Sequence, residues 1–377
     1  MKIKAAVSYA FNEPLVVEEL ELDPPMAGEV LVKMMASGVC KSDIRGIMGH
    51  YPLPHPVVLG HEGAGIVEEV GPGVKDYQVG DHVVLSMIPS CGLCRWCHIG
   101  HPNKCEEVAK VIRGTQMDGG TRRSLPRDGT RVYGMGFTST FAEYTVVPSI
   151  CLVKVPDYLP LEHLCLLGCG FTTGFCAATN VAHLRPGEKA LVVGCGGLGL
   201  SAIQGLALQT PGMLIAVDLF DEKLEMAKHF GATHTFRNTG DIEALYQEIW
   251  DLTWGVGVDY AFDFAGLVGQ DNSIQLGVKC LRKGGTMVFV GSADPAMTSI
   301  PVNPFHLQQW QKSITGVLFG SAQFRTDIPR IIDLYEKGMV NLKDMVTLEF
   351  PLEEINTAID NVHAKNKAAR QVIRFHN

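Results

Sequence analysis

The chain has 377 residues, 46% of them hydrophobic and 19% charged, with a net charge of −8. That is apolar material for about two cored domains and excludes intrinsic disorder; 32 basic residues spread along an acidic chain offer a polyanion no groove, so no nucleic-acid partner is expected. No apolar run approaches about 18 residues, and the opening MKIKAAVSYAFNEP lacks the apolar core of a leader, so a cytoplasmic protein without membrane association is expected.

In chain order, residues 29–36, 63–70, 82–88 and 141–147 read as short strands between turn residues, which predicts a β-rich, barrel-like first half. From Lys189 the pattern changes. The apolar runs 190–194 and 214–218 are each followed by a helical segment, 198–209 and 222–232, and alternation of this kind predicts a parallel, doubly wound sheet. The units continue through 258–266, a helix over 272–281 and a strand over 286–291, leaving room for six strands. Beyond Phe319 come amphipathic segments 328–338 and 352–365 and a closing strand 370–375, a tail expected to return to the first domain.

Eleven cysteines point to metal, because a reducing compartment does not keep disulfides. Between Cys91 and Cys105 the chain reads CGLCRWCHIGHPNKC. Four thiols in one polar loop cannot all be core hydrophobes, and Cys91, Cys94, Cys97 and Cys105 can close a tetrahedral zinc site with no open position. Three further segments carry a ligand type beside glycine: GVCKSD with Cys40, GHE with His61 and GCGFTTG with Cys169. Singly each is weak, since a lone cysteine is usually a small hydrophobe and a lone histidine a satisfied polar group.

The segment ALVVGCGGLGLSAIQ sets Gly194, Gly196, Gly197, Leu198 and Gly199 between an apolar strand and a helix. Glycines there permit a tight turn and close backbone approach, and the helix N-terminus faces a pyrophosphate. Asp218 ends the next strand, where a carboxylate accepts ribose hydroxyls and repels a 2′-phosphate, so NAD is expected over NADP.

GVCKSD, GHEGAG, the C-x2-C-x2-C-x7-C loop, STFAEYTVV and GCGFTTG stand in family order and spacing over nearly the whole chain. It resembles the zinc-containing alcohol dehydrogenases of the medium-chain dehydrogenase/reductase family. The resemblance implies an α/β protein with a GroES-like β-barrel catalytic domain, residues 1–171 and 319–377, and a Rossmann NAD-binding domain, residues 172–318. It further implies two zinc ions per chain, Cys40, His61 and Cys169 holding the catalytic one, which activates a primary or secondary alcohol as a Lewis acid for hydride transfer to NAD. Asp43 would orient His61, Glu62 would stand beside the metal and replace water during exchange, and Ser42 would accept the substrate proton. Lys223 would touch the adenosine ribose, Thr173 would lie near the nicotinamide, and Lys41 and Arg370 would approach the pyrophosphate.

Many relatives carry a histidine where this chain has Arg45; an arginine stays protonated, which leaves His50 or solvent for the outer end of the proton relay. Tyr51, Met87, Met135 and Gly136 are expected around a roomy apolar pocket suited to medium, cyclic or aryl alcohols or their carbonyl products. Zinc-free quinone or enoyl reductases of the same family lack Cys40, His61 and Cys169, which separates them from this chain. Glutathione-dependent formaldehyde dehydrogenases use an arginine that EEVAK after Cys105 lacks. The segments HVVLSMIPSCGLCRWC and QKSITGVLFGSAQFRTDIPRIIDLY resemble nicotinoprotein alcohol dehydrogenases, which retain NAD tightly and recycle it with an external electron acceptor. Family resemblance also implies a homodimer or homotetramer, with the strand at 286–291 and the segment to Pro301 as an unpaired edge.

Overall fold

Strand Glu29–Val39 organises the first half of the chain. Its run of Val30, Leu31, Val32 and Met34 is buried without alternation, because both of its edges are paired and apolar groups lie against both faces. Antiparallel to it run Glu62–Val70 on one side and, on the other, Tyr144–Pro148 and Arg370–Arg374. His82–Leu85, Leu152–Lys154 and Val346–Pro351 complete a seven-stranded sheet. The structure, a computed structural model, describes residues 1–266, 270–293, 297–300, 302–363 and 369–375.

Beside this sheet, Lys2–Ser8, Val16–Leu22, Arg123–Ser124, Arg131–Gly134 and Val57–Val58 close into a small barrel. All four first-half strands expected from alternation lie in the sheet, and the barrel is built from strands that alternation does not reveal. Two of these have apolar positions diluted by Lys2, Lys4, Glu18, Glu19 and Glu21, and the others run only two to four residues, too short to show a period. The closing strand does return to the first half, since Arg370–Arg374 pairs with Ala36–Val39. The amphipathic segment at 352–365 becomes the helix Ile355–His363 after a short 3-10 turn; its last two residues lie outside the described ones.

The second half forms a six-stranded, all-parallel sheet among the described residues. Its order is His234–Arg237, Met213–Asp218, Lys189–Val193, Val258–Asp263, Leu281–Phe289, Ser313–Gly316. The chain starts at the centre and winds outward in both directions, so the strand order reverses at Lys189–Val193. Ligands bind such sheets in the crevice at the carboxyl ends of the strands flanking that reversal.

The expected edge strand is corrected by this order. Leu281–Phe289, which contains the 286–289 stretch, is paired on both sides, and the edge falls to the short strand Ser313–Gly316. Of the segment following to Pro301, residues 294–296 and 301 lie outside the described ones. The compact units are Met1–Gly170 with Gln323–Asp333 and Leu342–Asn377, and Phe171–Ala322 with Leu334–Asn341. Among the described residues no single helix is long and apolar enough to cross a membrane.

A buried ion pair ties the 114–131 excursion to the long strand. Arg122 donates to both oxygens of Glu29, at 2.8 and 2.7 Å, with the two side chains 5% and 7% exposed. Removing one partner leaves the other buried and charged, which typically costs about 3–5 kcal/mol. Arg122→Ala is therefore expected to lower stability to chemical denaturation by that order, whereas the double variant Arg122→Met, Glu29→Gln recovers part of the loss.

Candidate active site and metal centres

Cys40 follows the end of strand Glu29–Val39 and caps the short helix Lys41–Ile47, and His61 immediately precedes strand Glu62–Val70. These strands are antiparallel with Gly38 opposite Glu62, so Cys40 and His61 emerge at the same end of the pair. Cys169 stands between the 3-10 turn Cys165–Gly168 and the helix Gly170–Cys176. Ligand atoms of Cys40, His61, Glu62 and Cys169 all lie within 4.8 Å of one another.

Asp43 organises the group. Its Oδ2 accepts the Cys40 amide N–H at 2.9 Å, and its Oδ1 accepts the Gly60 amide at 3.1 Å and His61 Nδ1 at 2.9 Å. A carboxylate can only accept, so Nδ1 carries the proton; Nε2 is buried and has no hydrogen-bond partner. Hydrogen bonding from Cys169, then the His61 and Arg370 charges, hold the Cys40 thiol well below its usual range against the effect of burial. Burial pulls the His61 pKa down, but the Asp43 and Cys40 charges outweigh it and lift it to about 10. Metal binding takes its ligands in the deprotonated form and so releases protons from such a set.

Glycine is required around the cluster. A Cβ on Gly38 would collide with the Glu62 carboxylate, and one on Gly168 would stand 2.5 Å from the Leu85 carbonyl. Gly60, at φ +90°, would set a Cβ 2.6 Å from Thr140 Oγ1. Glu62 itself is committed: Oε1 accepts the Gly170 amide at 2.9 Å and the carboxylate pairs with Arg370. Cys40, His61 and Cys169 then form a three-donor set of the Cys2His type, a composition known from catalytic zinc sites that keep a fourth position for a small ligand. The buried, unpartnered Nε2 among thiols fits zinc.

The four thiols of Cys91, Cys94, Cys97 and Cys105 also lie within 4.8 Å of one another. A tetrahedral set with bonds of about 2.3 Å has edges of roughly 3.8 Å, so little adjustment would close it on zinc. Gly92, at φ +72°, makes the turn of the first C-x-x-C, and the amides of Leu93 and Cys94 donate to Cys91 Sγ at 3.4 and 3.3 Å. Amides at Cys97 and Glu106 bring the Cys94 thiol down to about 6, while burial pushes Cys105 up to about 12.

In the second unit, Gly194 (φ +96°) and Gly196 form the turn into helix Gly197–Ala207, for which Gly196 is the N-cap. A Cβ on Gly194 would stand 2.9 Å from the Ala265 amide, and one on Gly199 would collide with the Gly194 carbonyl. Nothing lies within 4 Å of a Cβ placed on Gly196, so the turn is open where the helix amides of Gly197, Leu198 and Gly199 begin. That cradle fits a pyrophosphate. Asp218 overhangs it: its carboxylate accepts the amides of Cys195 (2.7 Å), Leu219 (2.7 Å) and Phe220 (3.1 Å).

The remaining expected residues are placed as follows. Ser42 is half-buried and Lys41 exposed in the first turn of helix Lys41–Ile47. Lys223 lies over the Phe220 ring at 5.4 Å, and Thr173 is buried in helix Gly170–Cys176. Arg45 is buried 5.9 Å from the Tyr51 ring centroid, and His50 Nδ1 is buried without a hydrogen-bond partner. Met135 and Tyr51 belong to the barrel core, and Met87 packs beside Phe137 and Cys151. The pairing of Arg370 with Glu62, two residues 308 positions apart in the chain, is the feature that no local pattern announces.

Comparison with known proteins agrees with this geometry. Residues 26–157 match the family model of the alcohol dehydrogenase GroES-like domain and residues 197–337 that of the zinc-binding dehydrogenases. The chain is 40% identical to the NDMA-dependent alcohol dehydrogenase of Amycolatopsis methanolica over 94% of both chains. It is equally 40% identical to the S-(hydroxymethyl)glutathione dehydrogenase of Paracoccus denitrificans over 100% of both. Among solved structures it is similar to benzyl alcohol dehydrogenase from Acinetobacter calcoaceticus, with a TM-score of 0.91, 32% identity and full coverage of both chains.

The two thiol-bearing sites make separable demands. Elemental analysis of the purified protein is expected to give two zinc ions per chain. Cys94→Ser should lose one and lower the unfolding temperature, because it opens the loop closure, whereas Cys40→Ser should lose the other with a smaller effect on unfolding. Loss of both metals in each single variant would contradict independent sites.

Proposed function

The chain belongs to the zinc-containing alcohol dehydrogenases of the medium-chain dehydrogenase/reductase family, and from that premise we propose that Cys40, His61 and Cys169 hold the metal at which a small alcohol is oxidised. His61 carries this reading, since its Nδ1 is fixed by Asp43 and its Nε2 is buried without a partner among two cysteines. Zinc bound there supplies Lewis-acid polarisation of an oxygen, and NAD supplies the hydride acceptor.

Everything else falls to the chain's own residues. Asp43 holds the imidazole in one tautomer, so that only Nε2 faces the thiols. Ser42 takes the hydroxyl proton of the substrate. Arg45 offers a guanidinium, which is no proton carrier, and this assigns the next step to His50 or solvent. Glu62, held by Gly170 and Arg370, stands beside the three donors. Lys41 and Arg370 carry positive charge of the kind a pyrophosphate calls for, Thr173 would lie near the nicotinamide, and Lys223 and Asp218 would take the adenosine ribose. Asp218 selects NAD, because a 2′-phosphate would meet a carboxylate.

Identity does not separate the two relatives at 40%; residues do. EEVAK after Cys105 lacks the arginine that the glutathione-dependent branch uses for the glutathione carboxylate. The likeness to the NDMA-dependent enzyme favours a second form of the same activity, in which NAD stays bound and an external acceptor regenerates it. Medium, cyclic or aryl alcohols are the substrate class, supported by the similarity to benzyl alcohol dehydrogenase. We place the protein in the cytoplasm as a homodimer or homotetramer. The short strand Ser313–Gly316, with one sheet neighbour among the described residues, supports this assembly.

Gel-filtered protein mixed with benzyl alcohol, first without and then with added NAD, tests the reading. Wild type is expected to generate reduced nicotinamide absorbance, and His61→Ala to lose at least about a thousandfold in turnover while NAD still binds. A stoichiometric burst without added NAD, followed by turnover only on adding NDMA, identifies the retained-cofactor form. His61→Ala at wild-type rate would overturn metal-assisted oxidation.

A further inference from the structure

Arg122 and Arg123 are adjacent in sequence and opposite in circumstance. Arg122 is buried and paired with Glu29 and Asp118. Arg123 is 2% exposed on a strand of the small barrel, and among the described residues no carboxylate forms an ion pair with it. Its Nη2 donates to Thr145 Oγ1 at 2.5 Å, that hydroxyl donates onward to the Thr138 carbonyl at 2.5 Å, and Nε is buried without an acceptor. Burial alone acts on its pKa, bringing it down to about 10, so the guanidinium keeps its charge at neutral pH.

A buried cation without a counter-charge is among the most unfavourable arrangements a folded chain can hold. Lys312, also buried, shows how one is accommodated: its Nζ donates to the Val278 carbonyl at 2.7 Å, in the last turn of helix Gln270–Cys280, where the helix dipole favours a cation. Arg123 has no helix terminus. It has hydroxyls instead: Thr145 Oγ1 accepts from it, and Ser139 is buried as well. A Cβ on Gly134 would collide with Ser139 Oγ and come 3.7 Å from Arg123 Nη1, so a hydroxyl and a guanidinium nitrogen converge on one point of backbone. Neither Ser139 Oγ nor Nη1 is needed by the active site described above.

We propose that the barrel binds a small inorganic anion of the halide class on the guanidinium of Arg123, with the Ser139 hydroxyl beside it. Donors, a fixed positive charge and burial are what such an ion requires, and sulfate-sized anions would need more room than a glycine contact leaves. The ion supplies the missing counter-charge to the barrel and takes no part in alcohol oxidation.

Crystals of the zinc-loaded protein grown in sodium bromide provide the direct test, with anomalous scattering at the bromine edge. A bromide peak in contact with the Arg123 guanidinium is expected; ordered water alone at that guanidinium would overturn the proposal. In solution, the unfolding temperature of wild type should be higher in sodium chloride than in sodium gluconate at equal ionic strength, by about 2–4 °C for each tenfold or so of linkage. Arg123→Met should abolish that difference, and an unchanged chloride response in this variant would contradict the assignment. Should Arg123→Met fail to fold, the bromide experiment on wild type decides alone.

Discussion

One carboxylate holds the metal site together. Asp43 accepts from the Cys40 amide, the Gly60 amide and His61 Nδ1, and so couples the end of one strand, the turn before another and the imidazole between them. Each bond alone is ordinary. Together they fix where a thiolate starts, where a histidine starts and which ring nitrogen is left to bind metal. The His61 tautomer depends on it directly, and the Asp43 charge, with that of Cys40, lifts the His61 pKa against the effect of burial.

Close backbone approach is the constraint that surrounds this interaction. Glu62 can reach Gly170 and Arg370 only because residues 38, 168 and 170 lack side chains. The dinucleotide turn obeys the same rule in the second unit, where Gly199 accommodates the Gly194 carbonyl and Gly196 stays open. Electrostatics are organised differently in the two thiol clusters. The Cys2His set mixes a thiolate with an oriented imidazole and leaves a position free by donor count, whereas the four-cysteine loop is closed and stiffens an excursion of chain that has little apolar core.

Much of the fold and site was legible from local chemistry. The segments around Cys40, His61 and Cys169 were weak signals singly and became a ligand set through the family resemblance, whereas the spacing in CGLCRWC marked a closed set and the alternation of apolar runs with helices marked the parallel sheet. Three things were not legible. Strands such as Val57–Val58 and Arg123–Ser124 are too short to show a period, so the barrel is visible only in three dimensions. Ser313–Gly316 reads SITG, with no amphipathic signal, and it displaced the more apolar 286–289 stretch from the sheet edge. Long-range charge partners, Arg370 with Glu62 and Arg122 with Glu29, depend on which strands become neighbours, and so does the lack of an ion pair at Arg123 among the described residues.

If Asp43 sets the geometry of the site, then Asp43→Asn should weaken one zinc and spare the other. The amide oxygen can still accept from His61, but its NH2 group meets the Cys40 amide donor-to-donor. Chelator competition on the purified variant is expected to show one zinc bound about 10–100-fold more weakly than in wild type and the second unchanged. Two zinc ions retained with wild-type affinity would contradict the central role of this carboxylate.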